Sequence, residues 1–316
     1  MPLPLPNKMA RVRFFDLLRP VLKKRMDYVG THGNMTPAEV RQLILDEAER
    51  NHDEWFSNNV PNLNYHLPEC RLAYLYIVAA ANATTFKWIL KNDSDLYSHV
   101  IGLAKLRQQL NVCAFGAGPG TELMAFAKFF DEERLGHPVQ VEFQLLDIEQ
   151  AWQDSWYGIR DSIKDHFRTV YGTSFSAWPM IPSGNFTAQD VKDTAGMENL
   201  GDIWSHDVFV INFLLSEIFN DDPGFRSFMS AVAKRAPKGS RFVFIERRGW
   251  MWKQRMKTCA SEAGLKLSAF KEESGGLDPG DCETLLGKLH EQLSTASNFR
   301  RPRNSWNVVY SIGVKE

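Results

Sequence analysis

The spacing of apolar and polar positions changes period along this chain, and the changes mark its elements. Through the first 107 residues the period is helical. One helix is predicted over Val12 to Val29, broken at Pro20, which supplies no N–H. A second opens on Thr36 as cap, with Pro37 at the first helical position and Glu39 completing a capping box, and runs to about Phe56. A third, Cys70 to Leu90, is apolar around most of its circumference and is expected to be buried. A fourth covers Asp95 to Gln108 and is capped by Ser94.

Beyond residue 108 short apolar runs take turns with helical stretches. Val112 to Phe115 is the first strand, and Val139 to Leu146 alternates with Gln140, Glu142 and Gln144 as a second. Asp207 to Leu215 is almost continuously apolar, the pattern of a strand covered on both faces of a parallel sheet. Further strands are read at Ser240 to Glu246, Lys266 to Phe270 and Trp306 to Val314. Helices are read at Leu123 to Phe130, Gln150 to Tyr171, Pro223 to Ala236 and Trp250 to Gly264, with Gly172 to Pro182 rich in turns. The alternation implies an α/β fold with a mostly parallel sheet, helices on both faces and right-handed crossovers. Residues 1–107 form a helical N-terminal cap or lid, and 108–316 the core. An insertion at about 272–304 holds Gly275-Gly276, Pro279-Gly280 and a helical piece from Cys282 to Leu293.

Chemistry concentrates where the first strand meets the helix after it. Phe115 leads into Gly116, Ala117, Gly118, Pro119 and Gly120, three glycines at alternate positions. Glycine alone offers positive φ and no Cβ, so this turn brings bare backbone against a nucleotide-like ligand. The second strand ends in Asp147, whose carboxylate can accept both hydroxyls of a ribose, followed by Ile148. Asp190, beside Val191, can accept from an exocyclic adenine amine. The helix opens with Thr121-Glu122, which sets a carboxylate where a pyrophosphate needs the positive helix end. That weighs against a dinucleotide and in favour of a cationic ligand; Glu122 is either a first-turn helix charge or a ligand group.

These residues resemble the motifs of class I S-adenosylmethionine-dependent methyltransferases. Phe115-Gly-Ala-Gly-Pro-Gly120 is similar to their first motif, with Thr121 where a dehydrogenase GxGxxG turn has its last glycine. Asp147 and Ile148 look like the ribose acid and its adenine-packing neighbour, and Asp190-Val191 like the third motif. The resemblance implies a seven-stranded sheet whose last two strands are antiparallel, with S-adenosylmethionine at the carboxyl ends of the strands. The layout, with Leu145-Leu-Asp-Ile-Glu-Gln-Ala-Trp152, also resembles eukaryotic ribosomal-RNA uridine methyltransferases.

Methyl transfer from a sulfonium requires in-line alignment and, for a weakly acidic nucleophile, removal of a proton. The positions after the fourth strand therefore matter: Asn212, Phe213, Ser216, Glu217 and Phe219. Glu217 is the leading candidate for a base or for orienting the acceptor, and equally a helix carboxylate or salt-bridge partner; Ser216 stands beside it. Arg247, Arg248, Trp250 and Trp252 interleave cations with aromatics, which suits phosphate contacts and stacking on unpaired bases. An RNA base is slightly favoured as acceptor. The alternatives are a small molecule methylated on N or O beneath a lid of Tyr74, Tyr76, Phe86 and Trp88, and a non-catalytic sensor of the methyl donor.

Composition narrows this little further. Hydrophobic residues make up 44% and charged ones 24%, with a formal charge of −1, as in a folded enzyme rather than a disordered or uniformly basic chain. Apolar runs are too short for a membrane span. Four separated cysteines and scattered histidines form no metal pattern. The basic N-terminus is interrupted by prolines, so cytosol or nucleus is expected, with a mitochondrial presequence as the alternative.

Overall fold

The computed structural model describes residues 12–52, 63–218, 222–278, 281 and 302–316. Among the described residues the helices α1 (Phe14–Gly33), α2 (Pro37–Arg50), α3 (Pro68–Ile77), α4 (Ala79–Asn92) and α5 (Ser94–Arg107) come first. The sheet region then runs β1 (Gln109–Phe115), α6 (Thr121–Glu133), β2 (Val139–Asp147), α7 (Gln153–Tyr171), β3 (Met180–Ala188), β4 (Val208–Asn212) and α8 (Leu214–Glu217). It finishes with α9 (Asp222–Arg235), β5 (Arg241–Arg247), α10 (Trp250–Glu262), β6 (Leu265–Leu267), β7 (Lys271–Gly276) and β8 (Ser305–Lys315).

The strand order is β3-β2-β1-β4-β5-β8-β6, with β7 also on β8. β3, β2, β1, β4 and β5 are parallel, and β8 is antiparallel to each of its neighbours. This is a doubly wound α/β sheet with one reversed strand. The order reverses between β1 and β4, and the crevice outside their carboxyl ends is the place such sheets offer a ligand.

Period-two alternation explains the two layers. Leu110, Val112 and Ala114 of β1, Val208 and Val210 of β4, and Val243 and Ile245 of β5 join one core. Cys113 and Phe115, Phe209 and Ile211, and Phe242 and Phe244 join the other, against Phe225, Phe228 and Met229 of α9 and Trp252 and Met256 of α10. The first core is continuous from Phe14 of α1 through Phe86 of α4 and Phe126 of α6 to Ile312 of β8, so the N-terminal helices are packed into the sheet's own interior. The chain start is tied down as well: Val12 N–H donates to Asp131 at 3.0 Å, and Phe14 N–H to Asp281 at 3.1 Å. Asp281 in turn pairs with buried Lys128.

Several boundaries differ from the sequence expectation, each for a local reason. α1 passes through Pro20 without a break, because Phe14, Phe15, Leu17, Leu18, Val21 and Leu22 are buried on both sides of it and hold the helix against the core. Cys70 to Leu90 is two helices. The Ile77 carbonyl accepts the Arg303 N–H at 2.8 Å, and this intruding donor interrupts the helical ladder at Val78. Asp93, not Ser94, caps α5, its side chain accepting from Leu96 N–H at 3.1 Å. β3 was read in part as turn. It carries Pro182 and Gly184 and lies at the sheet edge, where such residues are tolerated. Lys266 to Phe270 is a strand only at its start. The register against β8 slips by one residue between β6 and β7, and Ser268 fills the gap by bonding both N–H and C=O of Ile312. The chain thus returns to strand inside what reads as an insertion. The expected helix end near Phe56, Phe219 and the piece Cys282 to Leu293 lie outside the described residues.

Gly184 has φ +124°, and a Cβ there would lie 2.0 Å from the Phe143 carbonyl oxygen of β2. Backbone cannot yield that far. Gly184→Ala is expected to destabilise the fold by roughly 3 kcal/mol, read as a fall in Tm, whereas Gly136→Ala, with nothing within 4 Å, costs only its φ strain.

Candidate functional site

Two adjoining cavities, about 190 and 230 Å³, lie over the β1–β4 switch point and share Tyr65, Gly116, Asp147 and Glu217 as walls. The first adds Tyr74, Asn82, Trp152, Asn212, Phe213 and three arginines. The second adds Ile148, Glu149, Asp190, Val191 and Leu214.

The three glycines of the turn have different jobs. All have positive φ. A Cβ on Gly116 would meet Leu214 at 2.5 Å, and one on Gly120 would meet Trp156 at 2.8 Å and Leu145 at 2.9 Å, so these two allow close internal packing. Gly118 is different: a Cβ there meets only Trp152, at 3.8 Å, itself a wall of the cavity. Gly118 thus faces the cleft free of internal packing, and Gly116 lines both cavities as well. Phe115 and Ala117 are buried, Phe115 against Phe209 and Phe228, and Gly120 lines neither cavity. These three, expected at the ligand, support the turn from behind.

Asp147 binds the turn to the end of β2. Its Oδ2 accepts the Gly118 N–H at 2.8 Å and its Oδ1 the Glu149 N–H at 2.8 Å. Burial pushes its carboxyl up to about 6 against the pull of those two bonds. Each oxygen keeps a lone pair for a further donor. Ile148 beside it is 59% exposed, an apolar side chain turned into the second cavity. Asp190 lines the same cavity, its Oδ1 accepting from Lys192 N–H at 2.9 Å.

Beside the turn two acceptors lack donors. Glu122, expected at the ligand, is buried and lines neither cavity; its Oε1 accepts from Asn212 Nδ2 at 2.8 Å, while Glu122 Oε2 and Asn212 Oδ1 have no hydrogen-bond partner. Desolvation pushes the Glu122 carboxyl up, and the Asn212 bond opposes it. Orphaned acceptors in a buried place are rare, and a group with several N–H donors satisfies both. Phe213, next in sequence, has φ +58°, a strained state for a bulky residue, and it lines the cleft.

Glu217 closes the shared wall. It is exposed to the cavities, and Tyr65 Oη donates to its Oε1 at 3.3 Å. Desolvation, then the charges of Asp147 and Glu246, push its carboxyl up to about 8. Ser216 is fully buried, its hydroxyl donating to Phe213 O at 2.8 Å and its N–H to Glu246 Oε1 at 2.9 Å. Its hydroxyl does not reach the cleft, so the expected catalytic role for Ser216 is withdrawn. Glu246, also fully buried, is pushed up to about 7 by burial.

Of the basic aromatic cluster, Arg247 and Arg248 line the first cavity. Trp250 is 75% exposed outside it, and Trp252 is core, 1% exposed, so Trp252 offers no stacking face. Of the four lid aromatics only Tyr74 reaches the cleft; Tyr76 and Phe86 are buried, and Trp88 packs on Trp306. Sequence reading missed Tyr65, Asn82, Trp152 and Arg303 as cleft residues. Tyr65, Tyr74 and Trp152 pack ring to ring, centroids 5.5–5.7 Å apart, bringing together segments distant in the chain. No period or motif marks such a wall. Among the described residues no group of His, Cys, Asp and Glu is placed to hold a metal, and no helix is long and apolar enough to cross a membrane.

No protein-family model matches the chain, and no curated protein matches it. Solved structures similar to it include a SAM-dependent methyltransferase from Methanosarcina mazei (9% identity, 68% of this chain and 98% of that one, TM-score 0.40). The YcgJ protein of Bacillus subtilis is another (12%, 70% and 98%, TM-score 0.37). A third is the N-methyltransferase NodS of Bradyrhizobium japonicum in complex with S-adenosylhomocysteine (11%, 74% and 98%, TM-score 0.34). At these scores the likenesses carry nothing about the reaction, and the likeness to ribosomal-RNA uridine methyltransferases gains no support from them.

Three carboxyls raised together give the molecule a pH signature. From their ordinary values of 3.8 and 4.5 to about 6, 7 and 8, Asp147, Glu246 and Glu217 keep protons that the unfolded chain has lost. Their contribution therefore lowers stability progressively as pH rises from about 4 to about 8, and the loss is complete above that. Thermal unfolding of Glu217→Gln against wild type should show the variant gaining relative Tm across the upper part of this window; parallel curves would contradict the shift.

Proposed function

We propose that this chain is an S-adenosylmethionine-dependent methyltransferase. The observation that carries the reading is the glycine turn at a sheet switch point, its Gly118 N–H held by Asp147, with Asn212 lining the same cavity in front of buried Glu122. The acid behind Asn212 suits an alkylammonium in this cavity and disfavours a pyrophosphate. The rest of the cleft fits the same ligand: Asp147 for a ribose, and Ile148, Asp190 and Val191 around an adenine. When bound, the cofactor supplies a methyl carbon already activated on a positively charged sulfur.

The chain's own residues then have three tasks. Gly116 and Gly118 let the ligand approach the backbone, and Tyr65, Tyr74 and Trp152 exclude water from one side. Glu217, facing the shared wall, orients the acceptor and takes its proton. A carboxyl poised near 8 suits this role, since a base works best near the operating pH, and a cation seated beside it draws it back toward the ionised form. A small acceptor is favoured over an RNA base, because the cleft is walled by aromatics and Trp252 is unavailable for stacking.

Calorimetry with S-adenosylhomocysteine and with methylthioadenosine, which lacks the amino acid, tests the assignment. Glu122→Gln is expected to weaken the first by about ten-fold or more and leave the second nearly unchanged. Asp147→Ala should weaken both. No binding of either ligand to the wild type would end the proposal. Once an acceptor is found by transfer of labelled methyl groups, Glu217→Gln should lower kcat by roughly 10²–10⁴ and remove the ionisation from its pH profile, with homocysteine-product affinity retained. Tight cofactor binding without turnover on any extract fraction would instead identify a sensor.

A further inference from the structure

Glu217 stands on α8, a single turn of four residues. One turn does not hold itself, because fixing its backbone returns too few hydrogen bonds. Its first N–H groups also find no partner inside the helix. Two consecutive residues at the end of β5 supply what is needed. Ile245 O accepts the Phe213 N–H at 2.8 Å, which carries the β4–β5 pairing one residue past Asn212. Glu246 Oε1 accepts the Ser216 N–H at 2.9 Å, the third N–H of the turn. Glu246 Oε2 takes the Arg247 N–H at 3.2 Å.

A carboxyl is out of pattern at this place. Period two sets Glu246 on the same face of β5 as Phe242 and Phe244, paired with Val309 of β8, over the core that includes Leu215 and Met256. An apolar side chain suits that face, and a polar one is tolerated there only with hydrogen bonds. Glu246 is fully buried and lines neither cavity. The groups it binds are backbone, and one of them belongs to the residue before Glu217. Leu214 packs over Gly116 on the opposite side of the turn. Residues 213, 214 and 216 are thus each fixed to a neighbouring element, and the direction of residue 217 follows.

Building on the reading of Glu217 as the group that takes the acceptor's proton, we propose that Glu246 is its positioning residue. It touches neither cofactor nor acceptor, and it holds α8 to β5 through the Ser216 N–H so that Glu217 faces the wall shared by the two cavities. The same strap fixes Asn212 and Phe213 at the floor of the first cavity.

The test compares Glu246→Leu, which removes the acceptor, with Glu246→Gln, whose amide oxygen still accepts an N–H. Hydrogen exchange at Ser216 is expected to quicken about ten-fold or more in the leucine variant, with Val243 and Phe244 of β5 within about three-fold of wild type, and to stay near wild type in the glutamine variant. A second readout follows Glu217 itself. The ratio of S-adenosylmethionine to S-adenosylhomocysteine affinity, measured from about pH 6 to about pH 9, isolates the sulfonium, and its rise as Glu217 ionises is what Glu217→Gln removes. Asp147, Glu246, Arg247 and Tyr65 face Glu217 and set where that rise falls. Glu246→Leu should abolish the Glu217-dependent rise; Glu246→Gln should keep it, with its midpoint at lower pH because a neighbouring negative charge is gone.

A leucine variant with wild-type exchange at Ser216 and a wild-type rise would overturn the proposal, and so would a glutamine variant no better than leucine. Should the leucine variant fail to fold, Ser216→Pro removes the same bond from the donor side, in a first turn where proline is tolerated, and it must likewise abolish the rise. Failure of the wild type to bind either ligand is the failure of the methyltransferase reading, and a wild type without a Glu217-dependent rise is that of Glu217 as the base. Exchange at Ser216 in Glu246→Leu decides in both cases whether Glu246 holds the turn.

Discussion

One carboxylate holds the cleft together. Asp147 reaches from the end of β2 to the Gly118 N–H while its other oxygen takes the Glu149 N–H, so the turn after β1 and the loop after β2 are locked to each other. Hydrogen bonds to a charged acceptor are worth about 1.5–3 kcal/mol each, and here they offset the burial that lifts the same group to about 6. Besides that bridge the positive-φ turn is defined by the packing of Gly116 and Gly120 and by the Ala117 N–H on Leu146 O at 3.2 Å. The group that a ribose would use is therefore also the group that shapes the loop receiving it.

The other constraint is the strand order. Reversal between β1 and β4 opens a crevice, and each successive strand end adds one chemical character to it. β2 contributes Asp147 and Ile148, β4 contributes Asn212 and the strained Phe213, and β5 contributes Arg247. The result is a cleft graded from acceptors near the turn to guanidinium groups two and three strands away. Aromatics from the helical cap close it, and because α4, α6 and the sheet share a continuous core, that cap is held in place as firmly as the strands are.

Much of this was legible from local pattern. The glycine turn, the acid ending β2 and the doubly buried β4 are short contiguous signals, and each lies within a strand or two of the crevice. The capping box at Thr36 and Glu39 is equally local and present as read. Expectations went astray where a distant segment intervened. Arg303 breaks the helix at Ile77, core packing carries α1 through Pro20, and Ser268 continues the edge of the sheet past a bulge. Trp252 and Ser216 read as functional because of their neighbours, and each is turned inward by the element that carries it.

By itself the sequence determined the fold class, the glycine turn and the acids set around it. These depend on φ preference, on period and on residues adjacent in the chain. Only the tertiary structure decided which polar atoms are left without partners, which aromatics face the cleft and that Arg303 joins Arg247 across more than fifty residues. Such properties belong to groups brought together by packing. Burial, and the fields it strengthens, exist only once the layers have closed.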